Sequence, residues 1–177
     1  MHTKTILRFK GLYRISSQPG RDTFARWHNE VENWPENAQG YAYDAFEEIA
    51  EGYDFYAIQD SETDELVAVA TYEILGELPE SFEKIEWFNT PYYHAIDHFD
   101  EFVYLSQLAG IGRGGGVEIV KDIMQIGQIN NAPVLVWSSS YATKFYERAG
   151  FTPIGNYRYV FFPKNSLEKI EGETAIA

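Results

Sequence analysis

Residues 109–120 read AGIGRGGGVEIV, and they join a strand-like run, FVYLSQLA (102–109), to a helix-like one, VEIVKDIMQIG (117–127). An ordered glycine costs backbone entropy. Gly114, Gly115 and Gly116 in succession therefore point to something that approaches the main chain closely. Strand, glycine-rich turn and helix start make the context of an anion site. The first N–H groups of a helix have no intrahelical partner, and the macrodipole adds partial positive charge there. Arg113 adds a cation nearby. Two familiar phosphate motifs do not fit: no Gly-Lys-Ser/Thr follows, and GxGxxG on Gly110, Gly112 and Gly115 lacks the βαβ unit it requires. The other reading of the cluster is a tight turn with glycines for packing.

Outward from this junction, the periodicity predicts one α/β domain over 1–163 and a polar tail over 164–177. KTILRFK (4–10) reads as a strand. RDTFARWHNEVENW (21–34) reads as a helix with Phe24, Trp27, Val31 and Trp34 on one face. WPENAQG (34–40) reads as a break at Pro35 and Gly40. YAYDAFEEIAEG (41–52) is a second helix, with Phe46, Ile49 and Ala50 inward and Gly52 as its stop. YDFYAIQD (53–60) and ELVAVATYEIL (65–75) are strands joined by the turn SETD, a hairpin. The segment 76–100 is too long for a hairpin loop and reads as an insertion near an acceptor site, with a short helix in PESFEKIEWF (79–88).

APVLVWS (132–138) is a strand buried on both faces. SYATKFYERAGF (140–151) is a short helix with Gly150 at its left-handed cap and Phe151 folding back. NYRYVFF (156–162) alternates, with Tyr157, Tyr159 and Phe161 on one side, and suits a homodimer contact. The predicted order is strand, two helices, three strands, helix, strand, helix, strand. That is a single mixed sheet, and the helix after residue 109 crosses over to a parallel neighbour.

Composition narrows the function. Lys+Arg 14 against Asp+Glu 27 leaves a net charge of −13. Nucleic-acid binding runs on phosphate neutralisation, so this balance opposes it and favours cationic small molecules or basic protein surfaces. With no cysteine, thiol nucleophiles, disulfides and Cys-ligated metals are excluded. No stretch approaches the ~20 apolar residues of a membrane span. MHTKTILRFKGLYR has too short an apolar run for a signal peptide. The expectation is a soluble, cytoplasmic protein.

Arg113-Gly114-Gly115-Gly116, followed by Phe145-Tyr146-Glu147-Arg148-Ala149-Gly150-Phe151, resembles the paired motifs of the GNAT superfamily of N-acetyltransferases. The match covers residues 102–162, while the first hundred residues fit the family's element order. The resemblance implies a mixed central sheet with two splayed parallel strands, flanked by helices, and acetyl-CoA as donor. The diphosphate of CoA would lie on the N–H groups from Arg113 to Gly116, and pantetheine would pair along Leu108 and Gly110. Leu108, Ala109, Gly110, Ile111, Gly112, Arg113, Gly114, Gly115, Gly116 and Val117 are thus the implied cofactor residues. It further implies direct transfer to an amine, with no acyl-enzyme. Two departures stand out. Glu118 occupies a position where the motif has Gly or Ala, and the segment between Ala109 and Arg113 is short.

Transfer needs a neutral amine and a proton for the departing thiolate. By resemblance Tyr146 is the acid; a core tyrosine is its other reading. Ser140 stands where relatives contact pantetheine or the acid, and a helix N-cap is its other role. Some relatives place the base as a Glu on the strand that here carries Tyr104 and Ser106. The nearest carboxylates are Glu73, Asp100 and Glu101. Glu77, Glu80, Glu83, Glu86 and Asp97 in the insertion would attract a cationic acceptor, and Trp87, Tyr92 and Tyr93 would stack on it; a solvated acidic flap is the other reading. His94, Asp97 and His98 lack a third ligand and read as surface groups, so no metal is expected. A primary-amine acceptor, small or on a protein, is the expected partner. The reading from a different class is a non-catalytic acidic protein that binds a basic partner.

Overall fold

From Leu66 to Ala70 no residue is more than 1% exposed, as a strand covered on both faces requires. The structure is a computed structural model that describes residues 4–6, 11–83, 86 and 90–164. Its strands are β1 (Lys4–Ile6), β2 (Leu12–Ile15), β3 (Asp54–Asp60), β4 (Leu66–Leu75), β5 (Phe102–Gly110), β6 (Val134–Trp137), β7 (Thr152–Gly155) and β8 (Arg158–Phe161). Its helices are α1 (Arg21–Val31), α2 (Glu36–Ala50), α3 (Glu80–Glu83), α4 (Thr90–Ile96), α5 (Gly115–Asn130) and α6 (Thr143–Ala149). The strands form one mixed sheet in the order β1-β2-β3-β4-β5-β6-β8-β7. β5 and β6 run parallel, with Val103 opposite Val134 and Leu105 opposite Val136, so α5 is the expected crossover.

The chain divides into two compact units, Met1–Glu73 with Ser106–Val120, and Ile74–Leu105 with Lys121–Ala177. In the first, β1, β2, β3 and β4 pair antiparallel in succession. Trp27 and Val31 of α1 and Phe46 and Ile49 of α2 pack with Ala57 and Val69 of the strands. Trp27 and Phe46 stack at 5.9 Å. Trp27 and Val31 of the predicted inward face are buried and Phe24 is partly so, while α1 ends at Val31 and Trp34 joins the same core from beyond the helix. In the second unit Phe82, Ile96, Phe102, Leu135, Ile154, Val160 and Phe162 form the core. Gly150 takes φ 106° and Phe151 N–H bonds the Tyr146 carbonyl at 3.1 Å, the predicted helix stop.

Several expectations change. The break expected in WPENAQG falls at residues 32–35, with Pro35 as the N-cap of α2, whereas Gly40 lies inside that helix. A proline is tolerated at a helix start because the N–H it lacks is not needed there. Ala50 is exposed, one position past the buried Ile49. β2 and β7 are additional strands, and Tyr157, at φ 57°, belongs to the turn between β7 and β8. The insertion contains α3 and α4, while Trp87 and the tail from residue 165 lie outside the described residues.

Candidate functional site

Gly112 and Gly114 have φ of 80° and 85°, values open to glycine and strained for other residues. Between them Arg113 keeps a φ outside that region, so the backbone alternates in the manner of anion-binding nests. The first main-chain bond into α5 runs from Glu118 N–H to the Gly114 carbonyl at 3.1 Å. The N–H groups of Gly115, Gly116 and Val117 therefore have no intrahelical acceptor. Beneath them lies β4: a Cβ at Gly115 would fall 2.9 Å from Ala68 Cβ, and one at Gly110 would fall 3.2 Å from it. Packing and exposure of the main chain thus both require glycine here, so the two readings of the cluster are compatible. Ile111 N–H, bonded to the Val67 carbonyl at 3.1 Å, ties the loop's entrance to β4.

Arg113 is not a solitary cation. Its guanidinium donates to Asp60 Oδ2 at 2.7 Å, and Asp60 Oδ1 accepts the N–H groups of Glu62 and Thr63 at 2.8 and 3.0 Å. The Thr63 N–H first, then Arg113 and the Glu62 N–H, hold the Asp60 carboxyl far below the usual range. The β3–β4 turn and the glycine loop are thereby latched together. Glu118, the departure from the motif, is 6% exposed, and its Oε1 has no hydrogen-bond partner.

A carboxylate that the sequence reading missed lies in the same unit. Glu48 on α2 accepts Thr71 Oγ1 of β4 at 2.6 Å on one oxygen and Ser106 Oγ of β5 at 2.5 Å on the other. Thr71 is fully buried. Glu73, two residues further along β4, is half-buried, and burial first and Glu48 second raise its carboxyl above the ordinary value. Burial, Glu73, Glu48 and Glu51, in that order, raise the Tyr53 phenol. Asp100 and Glu101, the other base candidates, are exposed. No local pattern marks Glu48, since EEIAE reads as an ordinary polar helix face.

In the second unit Tyr146 of α6 is 5% exposed, its ring 5.6 Å from that of Phe151 and 5.2 Å from that of Phe145. Tyr159, 6.1 Å away, closes the cluster. Ser140 is exposed and is not the N-cap. Ala142 takes that place without a side-chain bond, because a turn closed by Ala142 N–H on the Ser139 carbonyl at 3.2 Å delays the helix. His94 lies on α4 and His98 beyond its end, both exposed, and no group of three or more metal-ligating side chains occurs among the described residues. No helix among them is long and apolar enough to cross a membrane.

No protein-family model and no curated protein matches the sequence. Solved structures do match the fold. A tyrosine-to-phenylalanine variant of KacT superposes with TM-score 0.60 at 16% identity, over 90% of this chain and 99% of that one. A GNAT-family acetyltransferase from Streptococcus agalactiae gives TM-score 0.57 at 13% identity, over 88% and 95%. The Bacillus subtilis N-acetyltransferase YlbP, in complex with coenzyme A, gives 0.52 at 13%, over 85% and 96%.

Proposed function

Because the chain carries the fold of the GNAT acetyltransferases, we propose that it moves an acetyl group from acetyl-CoA to a cationic primary amine in the cytoplasm. The observation that carries this reading is the run of N–H groups opening α5 over the small-residue floor of Ala68. A diphosphate fits such a floor, because no side chain rises from Gly114, Gly115 or Gly116. When bound, acetyl-CoA supplies an activated thioester.

The chain's own contributions follow from its residues. Main-chain N–H groups from Arg113 to Gly116, with Val117 beside them, hold the diphosphate. The strand end from Leu108 through Ala109 and Gly110 to Ile111 and Gly112 carries the pantetheine arm. Tyr146 Oη gives a proton to the departing sulfur, and Ser140 serves as a contact for pantetheine or for that acid. No metal takes part in this scheme. The net charge of −13 supports a cationic acceptor.

A second reading, a non-catalytic acidic protein that engages a basic partner, draws on Glu118, whose buried carboxylate opposes a diphosphate at the same helix start. Calorimetric titration with acetyl-CoA separates the two, and absence of binding at high micromolar concentration favours the second. Given binding, a panel of amines followed by release of CoA thiol identifies the acceptor. Tyr146→Phe lowers kcat by about 10²-fold or more while CoA affinity holds; an equal loss of affinity makes the tyrosine structural.

A further inference from the structure

We propose that Glu48 and Glu73 form a proton-accepting pair for the acceptor amine, with Glu73 taking the proton and Glu48 acting as its positioning residue. This deepens the acetyltransferase reading and rests on it. The geometry lies within the first unit. Thr71 and Glu73 are two residues apart on β4, so their side chains leave the same face of the sheet. Glu48 reaches that face from α2 and is fixed there by two hydroxyls from different strands, Thr71 Oγ1 at 2.6 Å and Ser106 Oγ at 2.5 Å. Both of its oxygens serve as acceptors, the bonding pattern of an ionised carboxylate. Ser106 stands two residues before Leu108, about 7 Å along β5 from where the pantetheine arm is proposed to begin.

Such an arrangement divides the labour. Glu48 is tied at both oxygens and supplies a stationary negative charge. Glu73, half-buried beside it, keeps a proton more readily than an isolated glutamate, through burial first and Glu48 second. Tyr53, whose phenol is raised by burial first and then by Glu73, Glu48 and Glu51, and Glu51, the C-cap of α2, bring no positive charge. An ammonium ion is the chemistry that meets two carboxylates and a phenol. One N–H bond of R–NH3+ breaks, an O–H bond forms on Glu73, and the electron pair stays on nitrogen, free to attack the thioester carbonyl. The alternative is a purely structural tie between α2 and the sheet.

Glu48→Gln separates the two, because an amide can still accept from one hydroxyl and donate to the other while its charge is gone. Carboxyl-carbon NMR titration of Glu73 in the full chain, without ligand, is the first readout. Its midpoint falls in Glu48→Gln yet stays above the ordinary glutamate value, since burial is the larger cause. The acidic limb of kcat/KM for the best amine of the panel moves to lower pH by the same amount. Glu73→Gln removes that limb and lowers kcat by about 10²-fold or more, with acetyl-CoA affinity unchanged. An unmoved Glu73 midpoint in Glu48→Gln, or an acidic limb that survives Glu73→Gln, overturns the proposal. Failure of every amine to accept acetyl overturns the catalytic role together with the acetyltransferase reading. The titration then still decides, on its own, whether the two carboxylates are coupled.

Discussion

Glu118 is the residue at which motif and fold disagree most. A carboxylate in the first turn of a helix is favoured by the macrodipole when solvated. Here it is 6% exposed with an oxygen that finds no donor, and burial of an unpartnered polar group costs about 1–3 kcal/mol. Glu118→Met, of similar length and without charge, is expected to stabilise the protein by about that amount in urea denaturation. An unchanged or lower midpoint would show that the carboxylate is satisfied in solution. The residues of the glycine loop were legible from the sequence, because a glycine run between strand and helix has few physical explanations. Glu48 was not. Its partners lie 23 and 58 residues away along the chain, and nothing local distinguishes it from the glutamates beside it.

Among the elements, α2 and α5 show opposite uses of glycine. Gly40 sits inside α2, exposed, and a Cβ there meets nothing within 4 Å. Gly40→Ala should therefore stabilise by about 0.5–1 kcal/mol, the helix-propensity difference. Gly115 opens α5 against β4, and its alanine would press Ala68 Cβ at 2.9 Å and Val67 Cγ1 at 3.2 Å. Gly115→Ala is expected to destabilise by about 1–3 kcal/mol, an overpacking cost, and to weaken acetyl-CoA binding as the helix shifts. Thermal unfolding of the two variants tests both signs. The missed strands have an equally physical explanation. β7 reads TPIG, which composition assigns to a turn, yet an edge strand admits proline because one side of it pairs with nothing. β2 is four residues long, too short for alternation to stand out from its neighbours.

For the molecule as a whole, a net charge of −13 on 177 residues makes self-repulsion a term common to every surface. Added sodium chloride should raise the thermal midpoint over the range in which the Debye length falls from about 30 to about 8 Å. A falling midpoint across that range would mean that attractive pairs such as Arg113–Asp60 outweigh the repulsion. The fold class was readable at this scale because it depends on the order of strongly periodic segments: the hairpin β3–β4, the buried strand β6 and the crossover α5. The division into two compact units was not, since β4, β5 and α5 each pass from one unit to the other without any break in sequence pattern.

By itself the sequence determined the strongly periodic strands and helices, where glycine frees the main chain, and the sign of the charge the surface presents. Each of these follows from residues a few positions apart, where backbone sterics and side-chain periodicity act. Only the tertiary structure decided that Arg113 is held by Asp60, that Glu118 is buried, and that a helix glutamate joins two strands through their hydroxyls. Those outcomes depend on which side chains meet once distant segments pack, and burial and hydrogen bonding have no counterpart in local spacing.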